Sequence, residues 1–334
     1  MRTFFLLSGE HYPLPRMELE SCLAADGVRW QEAGSLGRVA LLDLDGPPPT
    51  RMGLTPEIGE LVCTADDAEG LIAAVTESPP ELAGSFVVRV STVPKAFDCG
   101  ATRLEPRLGE VIGERTGASV DLHDPDTVLR VIATPEGAVM GPRVHQRGTF
   151  DDRKSDRRPY FHPSSLAPKL ARAMVNLSGA RSGKILLDPF CGTGGIPIEA
   201  AMVGCRVLAS DIDQKMVAGT KANLDHLGLE AFLATGDARH VTEVFGEGSV
   251  DCIATDPPYG RAASTWGVGL KDLFSDVFPA LFAVLRPGGL LCMGAPQQVP
   301  LETLCRDVGF KYLQGVRIRV HGSLTRHICV AERP

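Results

Sequence analysis

From residue 184 to 296, five short apolar runs alternate with helical stretches. The runs are KILLD (184–188), RVLASD (206–211), EAFLATGD (230–237), DCIATDPP (251–258) and GLLCMGAP (289–296). Runs this short and aliphatic read as fully buried strands. Helical sequence between strands implies crossover connections, so the strands are parallel and the sheet is covered on both faces. APKLARAMVNLSGA (167–180) reads as a leading helix and 270–285 as another. The final stretch, FKYLQGVRIRVHGSLTRHICVAER, breaks the rhythm. Two strands joined at His321-Gly322 read as a closing hairpin, which puts antiparallel strands at the C-terminal end of the sheet.

In such a sheet ligands gather at the carboxyl ends of the strands. The first strand runs into DPFCGTGGIPIEAA (188–201), a glycine-rich turn that opens a helix. Glycine lets a ligand approach the backbone and permits positive φ. A dinucleotide fingerprint would need Gly192, Gly194 and a third glycine at 197, where Pro197 stands instead. No GK[ST] follows, so the turn is not a P-loop. Asp211 ends the second strand about 20 residues after the first, where an acid can accept both hydroxyls of a ribose. Alone, Asp211 and its neighbour Asp213 also read as helix caps. Asp237 ends the third strand and can accept from an adenine amino group, or be a solvated strand-end acid. The fourth strand is stopped by Asp256, Pro257, Pro258 and Tyr259. Proline cannot donate to a ladder, so the strand ends there and the turn presents acceptors. Asp256 and the Pro257 carbonyl can grip the two protons of an exocyclic base amine and localise its lone pair. Tyr259 can stack on the base, a contribution of ~1–3 kcal/mol.

At 334 residues the chain suits two or three domains. No apolar run reaches the ~18–20 residues of a membrane helix. The N-terminus MRTFFLLSG reads as a first strand, not a signal peptide. Nine scattered cysteines without a CxxC indicate a reducing cytosol and argue against a zinc site or a disulfide framework. Residues 142–168 are polar, basic and proline-containing, the composition of an interdomain linker. Before them, RTFFLLSG and FVVRVST read as strands, TRLEPRLGEVIGERTG as a helix and VLRVIATPEGAVMG as a hairpin, an α+β pattern. The net charge of −7 does not advertise nucleic-acid binding. Local groups do: Arg143, Arg147, Arg153, Lys154, Arg157, Arg158, Lys169 and Arg172 in or beside the linker, and Arg317, Arg319, Arg326 and His327 on the hairpin.

The tetrad Asp256-Pro257-Pro258-Tyr259 resembles the signature of class I, S-adenosylmethionine-dependent methyltransferases that act on planar amino groups. DPFCGTGGIPIEAA, SDID and RRPYFHPSSLAPKLARAMVNLSGA (157–180) resemble one branch, the THUMP-containing RNA guanine-N2 methyltransferases. The resemblance is strongest to the archaeal enzymes that methylate guanine 10 of tRNA. It implies a fold of class α/β: a Rossmann-like methyltransferase domain at 166–334, preceded by an N-terminal α+β region. That region would comprise a ferredoxin-like domain (1–60), a THUMP domain (61–145) and a linker (146–165). GASVDLHDPDTVLRVIATPEGAVMG (117–141) is similar to the end of a THUMP domain. By resemblance, Asp188, Phe190, Gly192, Gly194 and Gly195 line the methionine part of the cofactor. Asp211 takes the ribose and Asp237 the adenine, while Asp256 to Tyr259 take the target base. His162, Pro163 and Ser164 lie where the family's chain crosses the cofactor carboxylate. The implied activity is transfer of one or two methyl groups to N2 of a flipped guanine in tRNA, in the cytoplasm, with no metal. The loop RAASTWGVG (261–269) is a candidate to close over the base. A small activating protein partner is left open. Rival readings are a ribosomal RNA guanine-N2 methyltransferase, a DNA adenine-N6 methyltransferase and a non-catalytic THUMP-type RNA-binding subunit.

Overall fold

The computed structural model describes residues 1–334 except 95, 97–99, 164, 259–269, 322 and 323. The chain forms two compact units. One comprises Met1–Gly9, Gly27–Thr50 and Thr55–Arg147, the other Glu10–Asp26, Arg51–Leu54 and Gly148–Pro334. Helix α1 (Leu14–Asp26) therefore belongs to the second unit.

The first unit is built on an eight-stranded sheet. Its strands are β1 (Arg2–Leu6), β2 (Trp30–Leu36), β3 (Val39–Leu44), β4 (Glu57–Glu60), β5 (Cys63–Ala65), β6 (Phe86–Thr92), β7 (Thr127–Thr134) and β8 (Gly137–Gln146). The order is β2-β3-β1-β4-β8-β7-β6, with β5 also paired to β8. The expected hairpin is β7–β8, and β6 lies parallel to β7. Because β4 pairs with both β1 and β8, one sheet runs across residue 60. Gly59 makes that junction possible: a Cβ there would collide with the Phe4 ring. Helices α2 (Ala68–Glu77) and α3 (Ala101–Thr116) cover one face. Leu104, Leu108 and Ile112 recur every fourth residue on α3 and bury against Phe86, Val88, Leu129 and Val131. The α3 range matches the helix expected from TRLEPRLGEVIGERTG.

The second unit holds a seven-stranded sheet. Its strands are β9 (Ile185–Asp188), β10 (Arg206–Asp211), β11 (Phe232–Thr235), β12 (Val250–Thr255), β13 (Leu285–Pro296), β14 (Lys311–His321) and β15 (Leu324–Glu332). The order is β11-β10-β9-β12-β13-β15-β14. The first five strands in sequence are mutually parallel, and β15 is antiparallel to both β13 and β14. The expected parallel sheet with a closing hairpin is therefore present; Gly322 of its turn lies outside the described residues. Among the described residues, this unit also holds the helices α4 (Pro168–Leu177), α5 (Gly195–Met202), α6 (Gln214–His226), α7 (Val241–Phe245), α8 (Leu270–Val284) and α9 (Leu301–Val308).

Strand alternation explains why both sheet faces are buried. Leu186, Cys252 and Ala254 face α4 and α5, where they meet Met174, Ile196 and Ala200. Leu187, Ile253 and Leu291 face the other way, onto Phe274, Phe278 and Leu281 of α8. Helix α4 is held on its outer side by a buried acid. Glu18 of α1 accepts from the Gly53 and Leu54 N–H groups at 2.7 and 2.8 Å and from Asn176 Nδ2 at 2.7 Å. Burial raises the Glu18 pKa against those three donors.

Candidate active site

Strand order reverses between β9 and β12, and a parallel sheet opens a crevice at such a switch point. The turn after β9 enters it. Gly192 and Gly194 have φ of +52° and +84°, a conformation other residues adopt only under strain. A Cβ on Gly192 would meet nothing within 4 Å, so the top of the turn is open. Its underside is anchored. The Cys191 N–H donates to Ser210 O at 2.9 Å, and the Gly192 N–H to Asp211 Oδ2 at 2.9 Å. From α6, Thr220 Oγ1 donates to Gly192 O at 2.7 Å, and Asn223 Nδ2 to Thr193 O at 2.9 Å.

Asp188 and Asp211 end adjacent strands. Asp188 is 1% exposed. Its Oδ1 accepts from Thr255 Oγ1 at 2.7 Å and from the Phe190 N–H at 3.2 Å. The Thr255 contact spans the switch point from β12. Burial pushes the Asp188 carboxyl up to about 7, and the charges of Asp211 and Asp256 add to the effect. Asp211 is half-buried and shifted up for the same leading reason, although the Asp213 and Gly192 N–H groups donate to it. Among the described residues, no cation figures among the influences on either acid. Phe190 packs partly buried against the α8 side of the core, and Gly195 begins α5.

Asp237 differs. It caps a short 3-10 turn, and Arg239 grips its carboxylate, with Nε 2.9 Å from Oδ2. That hydrogen bond, ahead of every other influence, lowers the Asp237 pKa. Asp213, the alternative acid, caps α6 by accepting from the Lys215 N–H at 2.8 Å.

After β12 the chain passes through Asp256, Pro257 and Pro258; Tyr259 and the loop 261–269 lie outside the described residues. Pro257 is buried. Asp256 Oδ2 lies 3.0 Å from Arg326 Nη2 of β15, with side-chain exposures of 13% and 9%. Arg326 and His327 were expected in a basic surface group. Both are buried, while Arg317 and Arg319 on β14 are exposed.

The basic stretch before α4 is likewise folded inward in part. Arg153 Nε and Arg172 Nη2 lie 2.6 and 2.8 Å from the carboxylate of Glu199, which is 1% exposed. Arg158 Nη1 donates to Thr193 O at 3.2 Å, and Ser165 Oγ lies 2.8 Å from Thr193 Oγ1. Asn223 exchanges hydrogen bonds with the Tyr160 backbone, and the Tyr160 ring covers Gly219, where any Cβ would collide with it. Arg158, Tyr160 and Ser165 therefore brace the glycine turn, and of the basic side chains at 153–158 Lys154 and Arg157 remain exposed. The His162 carbonyl accepts from Ser165, and Pro163 is exposed; Ser164 lies outside the described residues. Among the described residues no group of acids, histidines and cysteines could hold a metal ion, and no helix is long and apolar enough to cross a membrane.

Thr255, Thr220, Asn223 and the Asp256 partner Arg326 are site residues that motif reading missed. Thr255 had a signal: a hydroxyl directly before the DPPY acid on an otherwise apolar strand.

Fold and strand-end acids define a Rossmann-like class I methyltransferase with an α+β N-terminal region. Residues 155–328 match the family described as the RMKL-like methyltransferase domain, and residues 66–141 the THUMP domain. The chain is 38% identical, over the full length of both, to the tRNA (guanine(10)-N2)-dimethyltransferase of Methanothermobacter thermautotrophicus. It is 35% identical to the enzyme of that name from Pyrococcus abyssi, over 84% of this chain and 85% of the relative. It is 32% identical to a tRNA (guanine(6)-N2)-methyltransferase of Thermus thermophilus, over 70% of each. The crystal structure of TrmN from Thermus thermophilus superposes with a TM-score of 0.54 at 24% identity, covering all of both chains, which supports the fold. The chain belongs to the THUMP-containing tRNA guanine-N2 methyltransferase family, with archaeal guanine-10 dimethyltransferases among its full-length relatives.

Proposed function

We propose that this protein methylates N2 of guanine 10 in tRNA once or twice, using S-adenosylmethionine. The observation that carries the cofactor reading is the pair of acids at the switch point, one buried and one half-buried. Among the described residues, Asp188 and Asp211 accept hydrogen bonds from N–H and O–H groups, and they flank an open, anchored glycine turn. That donor set fits a cation carrying a ribose. Asp211 would accept the ribose hydroxyls, Asp188 and the turn Phe190 to Gly195 would hold the methionine part, and Asp237 would face the adenine. When bound, S-adenosylmethionine supplies an electrophilic sulfonium methyl group.

The chain's own work is orientation. A guanine amine is a weak nucleophile because its lone pair is delocalised into the ring. Asp256 Oδ1 and the Pro257 carbonyl would accept its two protons and direct the lone pair into the crevice. Tyr259, next in sequence, would stack on the extruded base. Once methylated, the nitrogen is strongly acidic, and Asp256 is an acceptor for the proton it loses. We assign residues 1–60 to a ferredoxin-like domain, 61–145 to THUMP, 146–165 to a linker and 166–334 to the catalytic domain. The matched range 66–141 supports the THUMP assignment, and 155–328 supports a catalytic domain in the C-terminal half.

The test uses purified protein, labelled S-adenosylmethionine and unmodified tRNA transcripts, one with guanine 10 changed to adenine. Nucleoside analysis should show N2-methylguanosine first and then N2,N2-dimethylguanosine. Both should vanish with the altered transcript and with Asp256→Ala. Persistent label in the altered transcript would refute position 10. Label in a parallel ribosomal RNA reaction and in none of the tRNA transcripts would refute the tRNA reading. Label that appears only when a cell extract is added would point to a missing protein partner.

A further inference from the structure

Asp256 is paired with a residue far outside its own turn, Arg326. In sheet order β13 lies between β12 and β15, so Arg326 reaches the acid from two strands away. The register shows how. Thr255 pairs with Met293, which brings Asp256 level with Gly294 of β13; on the far side of β13, Pro296 pairs with Arg326. A Cβ on Gly294 would collide with Asp256 Oδ1, and it would lie 3.6 Å from Arg326 Cδ. The carboxylate and the arginine stem therefore cross the sheet edge over the one residue of β13 that has no side chain there. Neighbouring strands stand about 4.8 Å apart, so any larger residue at 294 would fill the passage.

We propose that Arg326 is the positioning residue for Asp256. It fixes one carboxylate oxygen in an ion pair across Gly294 and so aims the other at the target amine. The inference rests on the reading of Asp256 as the acceptor for that amine. It also accounts for an acid rather than an amide at position 256. An asparagine there could turn its NH2 toward the buried guanidinium only at the loss of the ion pair, or turn its single carbonyl toward Arg326 and present a donor to the substrate. Either arrangement spoils the acceptor geometry. A buried guanidinium left without its acid is the larger loss.

The experiment measures kcat at saturating tRNA and cofactor, the Kd for S-adenosylmethionine by calorimetry, and the melting temperature. The variants are Asp256→Ala, Asp256→Asn, Arg326→Gln, Arg326→Lys, Gly294→Ala and Asp256→Asn/Arg326→Gln. We expect Arg326→Gln to lose kcat by about 100-fold, with the cofactor Kd within about threefold of wild type. Arg326→Lys should recover to within about tenfold, because a charge remains without the guanidinium fork. Gly294→Ala, which removes no charge, should lose kcat in the same way by displacing Oδ1. The double variant should be no slower than the slower single variant, as expected of residues acting as one unit. If Arg326→Gln fails to fold, Gly294→Ala decides the question alone. Should Asp256→Ala be inactive while Arg326→Gln and Gly294→Ala keep kcat within about threefold, the positioning role is refuted and the reading of Asp256 stands. Should cofactor affinity and melting temperature fall along with kcat in both, Arg326 is merely structural and the inference fails. An active Asp256→Ala refutes the reading of Asp256 itself.

Discussion

Four acids line the carboxyl edge of the second sheet, and they divide into two electrostatic settings. At β9 and β10, Asp188 and Asp211 are held by backbone N–H groups and a threonine hydroxyl, and burial drives both carboxyls upward. After β11 and β12, Asp237 and Asp256 each carry an arginine, from Arg239 and Arg326. All four follow the same sequence rule of a strand ended by an acid. Their chemistry differs because the partner, not the motif, sets the charge balance. An acid without a cation attracts one, as suits a sulfonium cofactor. An acid already paired offers an oriented acceptor with little net charge, as suits a neutral base amine.

The sharpest way to break this comparison is Asp211→Ala. The carboxylate is proposed to accept two ribose hydroxyls, and hydrogen bonds to a charged group are worth ~1.5–3 kcal/mol each. Calorimetry should show the cofactor Kd rising by about two to four orders of magnitude. Retention of wild-type affinity would remove the cation-poor edge from the cofactor site.

Asp188 sharpens the comparison through pH. Its folded-state pKa of about 7 lies above the ordinary 3.8. Below about 7 it is mostly protonated and neutral, and above about 7 it is an anion. A cationic cofactor should therefore bind more tightly as pH rises from 6 to 8, by about tenfold. Asp188→Asn should flatten that dependence at the low-pH affinity. Stability runs the opposite way. Because the folded state holds this proton more tightly than the unfolded chain, the group favours folding below about 4 and progressively less up to about 7. The ligand-free melting temperature of Asp188→Asn should exceed that of wild type by a margin that grows over that range. A margin that shrinks with rising pH would mean that Asp188 is ionised throughout.

The parallel strands were legible because a strand buried on both faces has no polar side to blur its apolar run. KILLD and RVLASD stop where β9 and β10 stop, and their terminal acids could be read as site residues from position alone. The N-terminal unit was less legible. WQEAGSL of β2 is largely exposed and polar, and its register shifts between Glu32 and Gly34, so no alternation marks it. Composition also misplaced several cations. Arg153, Arg158 and Arg172 look like solvated linker charge, yet a single glutamate in α5 draws two of them inside. Such pairings span tens of residues, and nothing local announces them. The partner of Asp256 sits 70 residues away in sequence, on the last strand, which is why the tetrad could be recognised and its support could not.

The smallest effect should come at Asp237. Arg239 already occupies both of its oxygens, from only two residues away, and its N–H is satisfied by the same carboxylate. An adenine amino group arriving there gains one hydrogen bond to an acceptor whose charge is largely compensated. The net worth of such a bond is ~0.5–1.5 kcal/mol. Asp237→Asn keeps an acceptor oxygen and the cap, and should weaken cofactor binding by only about two- to tenfold in calorimetry. A loss as large as that of Asp211→Ala would show that Arg239 releases the carboxylate on binding. The two settings along the edge would then become one when the cofactor binds.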